Sequence, residues 1–387
     1  MKNIRELDRS DYEEQKKVIC VGFPWNTPES IDARLRSLCE HSYSFGSFED
    51  EKLASQIIAT PYTIDFHNAL IPMAGIGFVA TLPEFQRQGR IDDVMELLLE
   101  KMNEENMVLS YLAPFSYRFY QKFGYEKIFD MIEYSGKIEA LPSKKSEDLV
   151  CMEMTWEEAR PYLRKIARED PLIEYGQIVR EPWWEEYKFH LRKDYTFVIC
   201  FKDEMPVGYM AYLVKDGIVD VFEIKNKGEE VLLVLLDVLK DLEYKEFKFL
   251  ETEGQSELYR LLDDRPENLL VRVLPGMMAR IINVEKFLKM YPFQSSIEFA
   301  LEITSDRFAP WNTGLYEIHG NKVKRVHETN LITAKMSEGE LVKLLFGRLL
   351  LIEGRNKIEV KNGTYARMVG MLEKAIVMDP VLFADYF

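Results

Sequence analysis

The chain has 387 residues, 47% hydrophobic and 30% charged, which is more than one ordinary core and enough for two or three domains. It shows no run of eighteen apolar residues and no basic start followed by an apolar stretch, so no membrane partner and a soluble cytoplasmic protein are expected. A formal charge of -15 argues against nucleic acid, whose phosphates need a positive surface, and suits a cationic substrate such as a polyamine or polyamino sugar.

Ser10, Asp11, Tyr12 and Glu13 read as a capping box opening a first helix. Thr27, Pro28 and Glu29 open a second with an N-cap, an N1 proline and an acidic first turn. Alternating apolar runs over residues 56–81 predict antiparallel strands, the last at 75–81. A short loop, residues 86–91, then leads into an amphipathic helix from Asp92, with Val94, Leu97, Leu98 and Met102 at helical spacing. Residues 106–112 return as a strand, and Pro114, Phe115 and Ser116 turn into a short helix carrying Tyr120.

The polar stretch 141–148 has no apolar period and marks a boundary. Beyond it a helix is predicted at 157–167, with strands at 195–201, 207–214 and 218–224. The last leads through Gly228 into a helix at 230–242, a strand at 246–250 and a turn at 256–259. This order repeats that of 76–120, so an internal structural repeat is expected. Its loop lacks flanking arginines and carries Glu229 and Glu230, which would face any bound phosphate; the second copy is read as degenerate. After Val284 the pattern changes again. Ile297, Phe299, Leu301 and Ile303 alternate along a strand, residues 313–321 form a strand running into a Gly-Asn turn, and Ser337 to Glu340 is a capping box before an apolar helix. The expected domains are 1–140, 141–287 and 288–387.

Four cysteines (Cys20, Cys39, Cys151, Cys200) and five histidines (His41, His67, His190, His319, His327) have no short spacing, so neither a metal site nor a disulfide framework is expected. Chemistry instead concentrates between Gly75 and Tyr125. A strand that delivers free backbone N–H groups at a helix N-terminus makes an anion site. Gln86, Arg87, Gln88, Gly89, Arg90, Ile91 and Asp92 can aim consecutive amides at a pyrophosphate, with Gly89 allowing close approach and Arg87 and Arg90 adding charge. Val79, Ala80 and Thr81 offer strand-edge groups to an amide-bearing arm. Asp92 sits awkwardly beside a phosphate. Phe23, Trp25, Phe45 and Phe48 are candidates for lining an acceptor pocket, with core packing as the alternative.

The loop Gln86-x-x-Gly89-x-Ile91, followed by Tyr120-Gln121-Lys122-Phe123-Gly124-Tyr125, resembles the GNAT superfamily of acyl-CoA-dependent N-acyltransferases. With the second degenerate unit, a tail carrying Asn312 to Tyr316 and the Ser337 helix, and terminal Phe387, it resembles the Eis (enhanced intracellular survival) branch. The bulky Ile91 at a usually small position fits that branch. The resemblance implies an α+β architecture of two tandem GNAT-like α/β units and a sterol-carrier-protein-like α+β domain. It implies acetyl-CoA as co-substrate, bound by Val79 to Thr81, Gln86 to Asp92, Phe115 and Ser116. Tyr120 would be the general acid and the α-carboxylate of Phe387 the general base. The acceptor implied is a cationic small-molecule amine of the aminoglycoside or polyamine kind, acetylated by direct transfer, and the assembly a homo-oligomer, a hexamer built through the tail. The rival reading is a lipid-binding or acyl-CoA-sensing protein with a silent first unit.

Overall fold

The computed structural model describes residues 2–169, 176–252, 258–261, 267–349, 353–379 and 381–387. Two compact units emerge: Met1–Ile128 with Tyr175–Val179 and Gly276–Phe387, and Phe129–Glu174 with Arg180–Pro275.

In the first unit, strand β1 (Lys2–Glu6) leads to helix α1 (Tyr12–Gly22) through a 3-10 turn. The capping box here is built on Asp8 rather than Ser10: Asp8 accepts from the Ser10 N–H, and Asp11 accepts from the Asp8 N–H. Asp11 also receives the Arg5 guanidinium, which leaves it unable to yield the cap to Ser10. Helix α2 (Pro28–His41) begins as expected, Thr27 accepting from the Ser30 N–H. Strands β2 (Tyr43–Glu49), β3 (Lys52–Phe66) and β4 (Ala69–Thr81) follow. His67 and Asn68 both take positive φ between β3 and β4, the geometry of a two-residue hairpin turn.

Helix α3 (Arg90–Glu104) crosses over to strand β5 (Leu109–Leu112), which lies parallel to β4. Helix α4 (Tyr117–Gln121) and the short strand β6 (Glu126–Lys127) come next. The sheet runs β1-β2-β3-β4-β5, then strand Met278–Ile281, then β6. Leu98, Leu99 and Met102 of α3 pack on one face against Ile57, Ala59 and Ile76, while Ile19, Ile31 and Leu35 from α1 and α2 cover Ile58 on the other. Both faces are therefore dry, as a parallel step requires.

The remainder of this unit is the tail. Helix Val284–Met290 is capped by Asn283, and a five-stranded sheet orders Lys322–Val326, Gly314–His319, Glu298–Ile303, Thr333–Met336 and Glu359–Lys361. Phe299, Leu301 and Ile303 alternate inward as predicted, and Ser337 caps helix Glu338–Leu345. The tail packs on the first lobe through aromatic contacts of Phe66 with Phe287 and Phe346. It is also tied by a buried ion pair, in which Arg280 Nη2 donates to both Asp306 carboxylate oxygens at 2.7 and 2.8 Å.

The second unit orders its seven strands Leu269–Pro275, Asp130–Lys137, Glu246–Thr252, Ile218–Asn226, Met205–Lys215, Thr196–Lys202 and Val150–Met154. Ile218–Asn226 and Glu246–Thr252 form its parallel step, with helix Glu229–Lys240 between them. This is the β4-α3-β5 order again, and the α+β class with two tandem units holds. Strand Asp130–Lys137 lies within this sheet, ahead of the polar stretch at 141–148. Of the expected turn at 256–259, residues 256 and 257 lie outside the described residues; Leu258–Leu261 is a 3-10 turn. One of the unit's buried carboxylates, Glu223, is held well below the ordinary range: burial alone would raise it, but Arg180 at 2.6 and 2.8 Å and Lys188 at 2.6 Å overcome that, and Tyr209 donates a hydrogen bond.

Two outcomes follow from these buried groups. Asp306→Ala leaves the Arg280 charge enclosed without its counterion and should cost about 3–5 kcal/mol in urea unfolding. Burial lowers the His67 pKa to about 4 from 6.5, against weaker opposition from Asp379 and Asp65. The unfolded chain then takes up this proton first as pH falls. His67 therefore removes stability between pH 6.5 and 4, amounting to about 3 kcal/mol. His67→Asn, which tolerates the same left-handed backbone, should flatten that part of the stability profile.

Candidate active site

The loop before α3 is shaped by two left-handed residues, Arg87 at φ 61° and Gly89 at φ 70°. For Arg87 this conformation is strained, whereas Gly89 adopts it freely. A side chain placed on Gly89 would meet nothing within 4 Å, so the backbone there borders open space. The first helical hydrogen bonds come from Asp92 and Asp93 to the Gly89 carbonyl, which leaves the amides of Gly89, Arg90 and Ile91 leading the helix. Alternating backbone handedness ahead of a helix N-terminus makes a concave nest of N–H donors. Acidic Asp92 is offset by an ion pair with Lys122 at the end of α4.

Arg90 departs from expectation. Its guanidinium is buried and donates to Ser47 Oγ at 3.1 Å and the Phe48 carbonyl at 3.2 Å, with Glu49 as counterion. It fastens α3 to β2, so its side chain adds no charge to the nest. Arg87 is exposed and retains that capacity, and Gln86 Nε2 reaches back to the Thr81 carbonyl at 3.5 Å. Gln88 accepts from Arg90 Nε at 3.2 Å.

The second feature is a split in the sheet. Pairing of β4 with β5 ends at Ile76 opposite Leu112, yet β4 continues to Thr81. On the other side, register with β3 shifts so that Phe78 and Val79 together oppose Ile57, and Phe78 takes φ 47°. A bulge of this kind bends its strand and re-aims its backbone groups. Gly77, Val79, Ala80 and Thr81 thus border a cleft on the side where β5 has ended. Val79 packs toward the α3 face and Ala80 toward α1, where Gly22 lets the helix approach closely.

The end of the chain lies in this cleft. A side chain at Gly75 would sit 2.7 Å from the Phe387 ring, and one at Gly77 would sit 3.8 Å from its carboxyl carbon. The ring stacks on Tyr62 with centroids 5.5 Å apart and packs against Phe383, which meets Tyr111 edge-on. Gln177 holds the approach, accepting from the Ala384 N–H at 2.9 Å while its own carbonyl receives the Asp65 N–H at 2.9 Å.

Tyr120 stands on α4, whose N-cap Ser116 accepts from the Phe119 N–H. Exposed Phe115 lies edge-on to Tyr120 at 5.4 Å, and Phe119 and Tyr125 pack around it. Its hydroxyl takes no hydrogen-bond partner among the described residues. Burial pushes the phenol well above its ordinary pKa, reinforced by Tyr125 and by Tyr386, the neighbour of Phe387. Tyr120 therefore keeps its O–H proton well above neutral pH, and Tyr386 lies within its electrostatic reach.

Residues 3–128 match the family described as an acetyltransferase (GNAT) domain. The first lobe is a GNAT acetyltransferase domain. Residues 284–356 match the sterol carrier protein domain. A probable N-acyltransferase from Enterococcus faecalis V583 superposes with TM-score 0.91 and 27% identity over 100% of both chains. A GCN5-related N-acetyltransferase from Anabaena variabilis and Eis1 from Mycobacterium abscessus superpose at 0.84 and 0.77, each with 16% identity over 100% of both chains. At that identity these two share the fold alone. No curated protein matches the chain in sequence. The chain is an acetyltransferase, and GNAT domains use acetyl-CoA as co-substrate.

Of the candidate aromatics, Phe45 and Phe48 belong to two separate cores, filled before any pocket could claim them. Phe23 and Trp25 instead meet edge-on at the end of α1, with Phe78 on the other side of Phe23, and Trp25 is exposed. Tyr62, Gly75, Gly77, Lys122, Phe383 and Tyr386 were missed as site residues. The Gly75-x-Gly77 spacing was the available signal, since it bares one face of a strand. Gly75→Val should expel the Phe387 ring, and limited proteolysis would report it as faster cleavage within the last seven residues.

Proposed function

We propose that the protein acetylates a primary amine of a cationic small molecule, aminoglycoside-like or a polyamine, by direct transfer from acetyl-CoA. The observation that carries this reading is the docking of Phe387 in the β4/β5 cleft of a GNAT domain, with its carboxylate beside Gly77 and the neighbouring Tyr386 acting on the Tyr120 phenol. The left-handed loop fits a pyrophosphate. Its backbone borders open space at Gly89, and Asp92 in the first helical turn is ion-paired. In this proposal the backbone of Gln86 to Asp92 and the Arg87 side chain hold the diphosphate, Val79 to Thr81 the pantetheine arm, and Phe115 and Ser116 the arm's far side.

A neutral amine attacks the thioester carbonyl, the C–N bond forms and the C–S bond breaks. The Phe387 carboxylate accepts the proton that the attacking nitrogen sheds, directly or through water, and Tyr120 donates its hydroxyl hydrogen to the departing sulfur. The elevated phenol pKa keeps that donor protonated, so the activity profile should rise with pH as the acceptor amine loses its proton. Acidic net charge favours cationic acceptors through long-range attraction. The proposal extends to a catalytic first lobe, a degenerate second GNAT-like unit that begins with strand Asp130–Lys137, and a tail, in a cytoplasmic homohexamer assembled through the tail.

Purified protein supplied with acetyl-CoA and a panel of polyamines and aminoglycosides should release free thiol in an amine-dependent way. Tyr120→Phe should lower kcat about a hundredfold or more with acetyl-CoA affinity nearly kept. Residues appended after Phe387 should impair turnover by displacing the carboxylate. Full activity in either variant removes that residue from the mechanism. Tight binding of a fatty or sterol ligand with no amine acetylation would favour the lipid-binding alternative, which the sterol carrier protein match supports.

A further inference from the structure

Cys151 and Cys200 have no relation in sequence, yet in the second unit they stand directly opposite each other. Strand Val150–Met154 pairs antiparallel with Thr196–Lys202 in the register Cys151 to Cys200. Directly opposed residues of antiparallel strands have α-carbons about 4.5 or 5.5 Å apart, depending on their place in the ladder. Both values fall within the span of about 4.4–6.8 Å that a disulfide bridges.

Opposed side chains also share a face, and both cysteines belong to the core that helix Glu229–Lys240 covers. The facing thiol lowers the pKa of Cys151 and raises that of Cys200, whose burial pushes it up further. Their access differs. Cys200 is fully buried, while Cys151 is half-buried on the outermost strand of its sheet.

The other two cysteines are unlike this pair. Cys20 and Cys39 sit on α1 and α2, and burial pushes both thiols upward, Cys39 to about 11. Among the described residues no group of three or more His, Cys, Asp or Glu side chains could hold a metal ion. The chemistry available to Cys151 and Cys200 is that of a dithiol.

We propose that Cys151 and Cys200 are a thiol redox site that closes reversibly into a cross-strand disulfide, with a small organic disulfide or a hydroperoxide as oxidant. With a disulfide RSSR, the Cys151 thiolate attacks one sulfur and releases RS⁻, leaving a mixed disulfide. The Cys200 sulfur then attacks Cys151 Sγ and expels the second RS⁻; the two cysteine protons end on the two released thiolates. With a hydroperoxide ROOH, Cys151 takes up the distal oxygen as a sulfenic acid and ROH leaves. Attack by Cys200 then forms the S–S bond and releases water. In both routes the accessible Cys151 reacts first and the buried Cys200 resolves it. The bond fastens the outermost strand of the second sheet, which runs directly into helix Trp156–Glu169, to its inner neighbour.

The full-length protein is incubated with oxidised glutathione, its thiols are titrated, and it is digested without reduction for mass spectrometry. The expected result is loss of two of the four thiols, a cross-linked peptide pair containing Cys151 and Cys200, and a raised thermal midpoint, all reversed by dithiothreitol. Cys200→Ala should instead keep glutathione on Cys151, and Cys151→Ser, at the less buried position, should lose no thiols from the second unit. A glutathione adduct persisting on wild-type Cys151, reaction confined to Cys20 or Cys39, or no loss of thiol at all would overturn the proposal.

Discussion

The cleft opens where β4 outruns β5, and β4 carries no side chain at Gly75 or Gly77 to fill it from within. Gly75 and Gly77 point the same way along the strand, and the space they leave is taken by the ring and carboxyl group of Phe387. A β-strand normally buries a face by its own side chains. Here that burial is delegated to a residue from the tail. The tail that carries Phe387 is itself packed on the first lobe through Phe66, Phe287, Phe346 and the Arg280–Asp306 pair.

Around this cleft the polar groups are divided between structure and availability. Arg90 and Arg280 are each committed to carboxylates or carbonyls in buried surroundings, where an unpaired charge would be costly. Among the described residues the loop amides at Gly89 to Ile91 and the Tyr120 hydroxyl are left uncommitted. Tyr120 gains from its setting in a second way, since a phenol surrounded by Phe115, Phe119 and Tyr125 is held rigid while its proton is retained. Electrostatics and packing thus converge on the same residue.

Most of the architecture was legible from local patterns. The helix caps at Thr27 and Ser337, the amphipathic run from Val94 to Met102 and the alternation at Phe299, Leu301 and Ile303 are short-range signals, and each formed the expected element. The repeat of strand, loop, helix and strand was legible for the same reason. What escaped were properties fixed by partners distant in the chain. Arg90 looked like a phosphate ligand because nothing local reveals the Ser47 and Phe48 acceptors more than forty positions away. Phe45 and Phe48, three residues apart, enter different cores because β2 presents them to opposite faces across a register shift between Ser47 and Phe48. The Cys151–Cys200 register likewise depends on strand pairing that no spacing rule conveys.

The strand Met278–Ile281 is inserted between β5 and β6 in the first sheet, although the whole second unit separates it from them in the chain. As the chain leaves the ribosome, β5 therefore has no neighbour on one side until the second unit has been made. Domains commonly fold in order of synthesis, the N-terminal one first. This protein must depart from that order, with the second unit able to complete its sheet while the first still presents an open edge. The interval in which that edge stays open is set by the length of the intervening unit.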